Sequence, residues 1–510
     1  MGNNKINLSN RQTAINMAAN IVSYGSNLLI SFIVTPFLIN TLGKETYSFY
    51  PIANTFVSYI AVLANSMNAM GSRFVTVSLA KGEEDEASEY FSTVLLSNLI
   101  LGFLMMLPMA AIVAFLEFFL DVPINSAAAV KSMFAFVFAA ALTRILAAHF
   151  GIATFAKNRI DLRSLRELVT SVLRLLLYVV FYGVFTPSLV YIGIVVLTVE
   201  IVNVCFQLYY TKKLMPEVRL SAKLFSWNKT KCIVSSSVWN MINSLGAITL
   251  TAMITVMANV LYGATASGLY SIVNVIPSFI SGLIPVLAGV FFPAITYRYA
   301  QRDLNALIAE LEKSQKIVSF SCCAAIVTFA AMSEHFFSLW TPGEDAAYLS
   351  RLLLLAILPQ FFAAVSSNFS NLNIAMNKIK KPALVMLGLG MCMVMCSYLV
   401  KEIWYPGLYS LPIISGVFQF GWFIVFLPCY AAKNLSVKCS IFYRPIIRAV
   451  LAIVPSYVLT SAVCSFVSID SWVEFFFFAV VNGACSLLIF GFAVYGTDLI
   501  HTIKTFLKKS

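Results

Sequence analysis

Fourteen stretches of mainly apolar residues follow one another along this chain, separated by short polar links. They cover 13–41, 47–70, 90–117, 129–153, 167–186, 189–210, 232–259, 265–292, 314–334, 349–372, 383–400, 409–431, 446–467 and 473–495, and are taken as helices 1–14 in that order. About 20 such residues, coiled as a helix, cross the hydrocarbon of a bilayer. Backbone polar groups find no water there, so a spanning segment must satisfy them within itself, as a helix does. The expected fold is all-α and integral to the membrane, with about fourteen transmembrane helices. Only 11% of the 510 residues are charged, against about 25% in a soluble protein, which excludes a water-soluble globule. Prolines such as Pro36, Pro108, Pro277, Pro285 and Pro359 fall inside runs, where membrane helices tolerate them.

Charge orients the bundle. With the N-terminus inside, 28 of the 34 Lys and Arg fall in inner segments, four (Lys44, Lys131, Arg351, Lys401) in outer loops and two (Arg144, Arg174) within helices. Basic residues accumulate on the cytoplasmic side, so both termini are expected there, with Lys504, Lys508 and Lys509 on the tail. The net charge of +12 then reports topology, and no nucleic-acid partner is expected. The first run is too long for the core of a signal peptide, so no cleaved leader is expected. The ten cysteines lack paired metal spacing and read as small apolar core residues, so neither metal nor cofactor is expected. There is no GxxxxGK[ST] loop and no HExxH. No outer loop is large enough to carry an acid–base pair, so the chain is not expected to be an enzyme or to drive transport with ATP. The acidic run at 83–86 reads as a solvated helix start.

The sequence also repeats. A shift of 220 residues aligns 43–80 with 263–300 without gaps, with nine identities in 38 positions, among them Gly43/Gly263, Tyr50/Tyr270, Ile52/Ile272 and Asn54/Asn274. A second match, Ala156-Lys-Asn-Arg-Ile160 with Ala375-Met-Asn-Lys-Ile379, falls at a shift of 219. The repeat spans six helices, an even number, so both copies keep one orientation, and transporters of that kind hold substrate where their copies meet. The expected organisation is an N-terminal six-helix lobe at 1–210, a cytoplasmic linker at 211–231, a C-terminal six-helix lobe at 232–431, and two extra helices with a cytoplasmic tail at 432–510.

Helix 1 carries Asn16, Asn20, Ser23, Asn27, Ser31 and Thr35 on one face. Helix 7 repeats the pattern with Ser236, Asn240, Asn243, Thr251 and Thr255, and Asn54 and Asn274 extend it onto helices 2 and 8. Such stripes either bond helices together or line a wet cavity; their presence in both copies favours the cavity. Charges in hydrocarbon are costly and so mark function. Arg144 and His149 fall on helix 4, Arg174 on helix 5, Glu200 on helix 6, and Arg73 just after helix 2. A guanidinium stays charged and offers a planar fork to phosphate. The candidate substrate cavity is therefore Asn16, Asn20, Ser23, Asn27, Asn54, Arg73, Arg144, Arg174, Asn240, Asn243 and Asn274, with Glu200 and His149 as candidate coupling or ion-pair residues. Structural alternatives stand beside these: an Arg144–Glu200 pair tying helices, an Arg73 anchor at the inner face, a hydrogen-bonded His149, and an Arg174 that snorkels from one to two turns inside the membrane.

Leu42-Gly43-x-Glu45-x-Tyr47, Ser72-Arg73-Phe74 leading to Ala80-Lys81-Gly82-Glu83, Ala156-x-Asn158-Arg159-Ile160, Gly268-Leu269-Tyr270 and the stretch from Phe292-Pro293 to Tyr299-Ala300-Gln301-Arg302-Asp303 resemble Wzx-type polysaccharide flippases. These belong to the multidrug/oligosaccharidyl-lipid/polysaccharide exporter superfamily. The resemblance runs along most of the chain. It implies two six-helix lobes around an alternating-access cavity in a bacterial inner membrane. It implies that undecaprenyl-diphosphate-linked oligosaccharide, for O-antigen or other surface polysaccharide, is flipped from the cytoplasmic to the outer leaflet. Cationic cavity residues, here Arg144 and Arg174, would engage the diphosphate. The implied partners are that substrate, membrane lipids and a polysaccharide polymerase; coupling to protons, to sodium or to product consumption stays open. Rival readings are a cation-coupled multidrug antiporter of the same superfamily, a lipid II flippase, and a polytopic polysaccharide polymerase.

Overall fold

In hydrocarbon the apolar runs have one way to satisfy their backbone, and they take it. The structure, a computed structural model, describes residues 10–404, 407–467 and 469–495; the tail lysines lie outside these. The long helices are α1 (Asn10–Leu42), α2 (Lys44–Lys81), α3 (Glu84–Ala114), α4 (Ala127–Ala147), α5 (Ile160–Val184), α6 (Val190–Leu214), α7 (Trp227–Thr251), α8 (Met253–Gly289), α9 (Leu304–Ala331), α10 (Ala346–Ser366), α11 (Lys380–Trp404), α12 (Ser410–Leu435), α13 (Ser440–Ser465) and α14 (Trp472–Tyr495). Among the described residues, twelve helical stretches are long and apolar enough to cross a membrane. One of them, Trp227–Gly289, comprises both α7 and α8, and the more polar α2 completes the expected fourteen. Phe103, Leu107, Val473 and Val480 are exposed on the surface, as the side chains of a lipid-solvated protein are.

The run limits need correcting. α2 continues through Ser72 and Arg73 to Lys81, so Arg73 lies within helix 2 and not after it. α5 starts at Ile160, seven residues ahead of its apolar run. Helices extend beyond the hydrocarbon wherever no residue breaks them, and hydropathy does not register those polar turns. α12 passes through a π-helical turn at Gly421–Phe426.

The backbone carries the repeat more clearly than the sequence does. Gly43 (φ 82°) and Gly263 (φ 88°) make the same turn ahead of α2 and within the stretch assigned to α8. Gly82 (φ 80°) and Arg302 (φ 58°) precede α3 and α9, again 220 apart, and Asn158 (φ 53°) and Asn377 (φ 54°) precede α5 and α11, 219 apart. α4 and α10 are both interrupted near their ends, at Ala148–Gly151 and at Ser367. The Gly43 pair φ 82°, ψ 149° lies where essentially only glycine is found, at a cost of about 1–3 kcal/mol to other residues. Gly43→Ala is expected to lower stability by about that amount, read as an earlier thermal transition of the purified protein.

Two compact units form, Met1–Ile248 with Thr255–Gly268, and Thr249–Ile254 with Leu269–Ser510. In the first, α4 and α6 pack through Gly193: a Cβ there would meet Phe136 Cβ at 2.7 Å and Met133 O at 3.0 Å. The polar link after α6 is fastened to α3. Arg219 N donates to Ser88 Oγ (3.0 Å), Ser221 N to Ser92 Oγ (3.3 Å) and Ser226 N to Thr93 Oγ1 (3.2 Å), while Ser97 and Thr230 share a 3.2 Å hydroxyl contact. In the second, α13 and α14 pack on α9, with Thr328 Oγ1 donating to Ser486 Oγ at 3.1 Å.

Candidate functional site

The first unit gathers ionisable groups from three helices. Arg144 on α4 places Nε and Nη2 each 3.2 Å from Glu200 Oε2 on α6. The pair is asymmetric: the Glu200 side chain is 8% exposed and that of Arg144 48%. Burying a carboxylate requires a partner, and Arg144 supplies it while its guanidinium lines a small cleft. That cleft, of about 10 Å³, lies among Val57, Ala61, Ala64 and Asn65 of α2 and Ala141, Ile145 and Ala148. It has room for about one water molecule.

α5 adds two more cations. Arg166 lies within electrostatic range of Glu200 and Glu167. Arg174 stands about 21 Å along the helix from its start, one turn ahead of the buried Tyr178. The Nε atoms of both arginines are buried and have no hydrogen-bond partner among the described residues. Glu167 is shared, accepting from Arg163 Nε at 2.9 Å and from Ser23 Oγ at 3.1 Å. Around Glu200 and Glu167 stand Arg144, Arg163 and Arg166, three cations to two carboxylates, which leaves this group electropositive, and Arg174 lies two turns further along α5.

The polar stripe of α1 is turned toward α5. Asn16 Nδ2 donates to Asn158 O and Oδ1, both at 3.1 Å, and its Oδ1 accepts from Asp161 N at 3.0 Å and Gln12 Nε2 at 3.0 Å. Ser171 Oγ donates to Asn27 Oδ1 at 2.6 Å. For Asn16, Ser23 and Asn27 the stripe thus acts as interhelical bonding within one unit. Asn158 is the left-handed residue ahead of α5, and Asn16 holds it from α1. Asn16→Leu leaves an amide N–H and a carbonyl without these partners. It is expected to cost about 2 kcal/mol, seen as a lower melting temperature.

The other candidates are spread out. Asn20 is helical, but its side chain lies outside the described residues. Arg73 and Asn240 are exposed, and Asn54, Asn243 and Asn274 are half-buried. His149 is fully buried in the interruption after α4, with Nδ1 3.1 Å from Leu146 O and its ring 3.7 Å from that of Phe150 and 5.4 Å from that of Phe91. Sequence reading missed Arg166 as a site residue, because it left 154–166 between the apolar runs as a link. The Asp161 in the first turn and the Arg163–Glu167 spacing of four are helix signals that reach it.

Helices, repeat and cluster together define a polytopic α-helical membrane protein made of a duplicated six-helix unit with a cationic group of side chains inside the first copy. Solved structures share this fold. An inward-facing multidrug resistance MATE family transporter of the MOP superfamily matches with a TM-score of 0.68 at 15% identity, covering 81% of this chain and 94% of its own. The lipid II flippase MurJ in an inward closed conformation matches at 0.65 and 13% identity, covering 96% and 100%. Among curated proteins, the uncharacterized membrane protein EpsK of Bacillus subtilis (strain 168) is 24% identical over 497 residues, 96% of this chain and 95% of its own length. The chain belongs to the polysaccharide biosynthesis protein family, whose model matches residues 13–297, more than half its length. The resemblance read from the motifs is borne out by this family and this fold.

Proposed function

We propose that the protein is a flippase that carries an undecaprenyl-diphosphate-linked oligosaccharide from the cytoplasmic to the outer leaflet of a bacterial inner membrane by alternating access, in the synthesis of a surface polysaccharide. The observation that carries this reading is Arg174, a cation within the apolar run of α5 whose Nε is buried without a partner among the described residues. A charge so placed is costly unless something completes it, and a diphosphate offers acceptor oxygens suited to guanidinium forks. Arg144 and Arg166 add to the same polarity. Family membership supports a role in polysaccharide synthesis. The sugar needs a polar route because each unsatisfied polar group in hydrocarbon costs several kcal/mol. The lobes at 1–210 and 232–431 are the moving parts of this proposal, with both termini cytoplasmic.

A drug-cation antiporter on the same fold would favour an uncompensated buried carboxylate. Glu200, the buried carboxylate of this cluster, is held by Arg144. The test is translocation in proteoliposomes. Lipid-linked oligosaccharide is placed in both leaflets, and its accessibility to a membrane-impermeant glycosidase or lectin is followed with and without protein. Protein-dependent exposure of the inner pool is expected. Its absence for lipid-linked sugars, combined with accumulation of a hydrophobic cation, would reject the proposal for the antiporter.

A further inference from the structure

The two repeats differ in chemistry at the turn that leads into α3 and into α9. In the first copy this place is filled. Met215 and Ala87 are buried in one apolar cluster, with Leu79, Leu214 and Val218 packed against it, and Ser78 Oγ donates to Glu86 Oε2 at 2.9 Å. The positions of the second copy that match Ala87, Leu79 and Ser78, 220 residues on, are Leu307, Tyr299 and Arg298. There the place is open: a cavity of about 350 Å³ is lined by Arg298, Tyr299, Arg302, Leu304, Leu307 and Leu435.

Arg302 is the sharper clue. It occupies the left-handed turn that the first copy gives to Gly82, at φ 58°, a conformation unfavourable for any residue with a Cβ. A long cationic side chain kept where the fold's other copy uses glycine is strain of the kind that gathers at ligand sites. Among the described residues, neither Arg298 nor Arg302 has a carboxylate within salt-bridge distance. Arg298 reaches Gln301 Oε1 at 3.5 Å and lies 6.0 Å from the centre of the Tyr297 ring. Asp303, also on the wall, is engaged by α9's own first turn, its Oδ1 accepting from Ala306 N at 3.0 Å.

The cavity stands where α9 begins and α12 ends, at the ends of two helices long and apolar enough to span a bilayer. It joins two guanidiniums to three leucines. We propose that it binds the phosphate of a membrane lipid, with Arg298 and Arg302 on the phosphate oxygens and the leucines against the first part of the apolar chain. Basic pockets between helix ends suit anionic head groups. This site lies within the second unit and does not depend on the flippase reading.

The test is lipid retention by the full-length protein, counted by native mass spectrometry. One arm uses phosphatidylglycerol against phosphatidylcholine, and a second uses a polyprenyl diphosphate. Wild type is expected to retain the anionic lipid preferentially. The double variant Arg298→Gln/Arg302→Gly is expected to lose about tenfold in that preference. Arg302→Gly restores the residue used by the other copy, so its melting temperature is expected to hold or rise; Arg298→Gln alone serves if it falls. Loss confined to phosphatidylglycerol assigns the site to bulk lipid, and loss confined to the polyprenyl diphosphate assigns it to a transported lipid; either supports a lipid-phosphate site. Unchanged retention of both lipids by correctly melting variants overturns it.

Discussion

Proteoliposomes carrying Arg174→Ala are expected to expose lipid-linked oligosaccharide about ten- to a hundredfold more slowly than wild type. The estimate is the loss of one charge-assisted hydrogen bond, about 1.5–3 kcal/mol, taken as a barrier difference. Fold should survive, because the buried Nε has no protein partner to lose among the described residues. Arg174→Lys should recover only part of the rate, since an ammonium is a point charge without the planar fork. Arg144 needs a different design. Removing it alone leaves Glu200 buried and unpaired, and losing one member of a buried pair is destabilising. Arg144→Ala with Glu200→Gln removes the cation and the orphaned charge together. If that double variant flips sugar at the wild-type rate, Arg144 is a structural tie and leaves the site; if Arg174→Ala also does, the cluster is not where the diphosphate passes.

Gly193→Leu is expected to prevent accumulation of folded protein, and Gly193→Ala to lower stability by about 1–3 kcal/mol, the usual cost of overpacking. The neighbours decide this. The nearest atom, Phe136 Cβ at 2.7 Å, is the root of its side chain, and Met133 O at 3.0 Å and Cα at 3.2 Å belong to the backbone of α4. None can swing aside as the tip of a long side chain could. Relief requires the two helices to part, along faces that carry the buried Val137, Ile192 and Val195. Against a total stability of about 5–15 kcal/mol, the larger substitution is severe. Detergent-solubilised Gly193→Leu protein that melted like wild type would show that α4 and α6 are not in this contact.

Much of the architecture was legible because hydrocarbon leaves a chain few choices: fourteen apolar runs became fourteen helices. The repeat was legible at Gly43 and Gly263 because only glycine suits that turn, and it was obscured at Gly82 and Arg302, where the conformation persists under a changed residue. Helix ends were not legible. Asp161, Arg163 and Arg166 read as loop because charge masks a helix that continues past the apolar slab. The same error hid Arg166. Of the site, the Arg144–Glu200 pair could be foreseen from rarity alone, since ionisable groups in such a chain seek each other. The destination of Asn16, Ser23 and Asn27 could not. Periodicity defines which side chains share a face, but not whether α5 or water lies opposite, and that depends on contacts 142–145 residues away in sequence.

The stretch joining the two copies reads as slack, yet Ser88, Ser92, Thr93 and Ser97 button it down along α3. Reporter tags or protease sites spliced between Met215 and Ser226 would have to unfasten that row first. Should the two halves ever be produced as separate polypeptides, this segment belongs with the leading one.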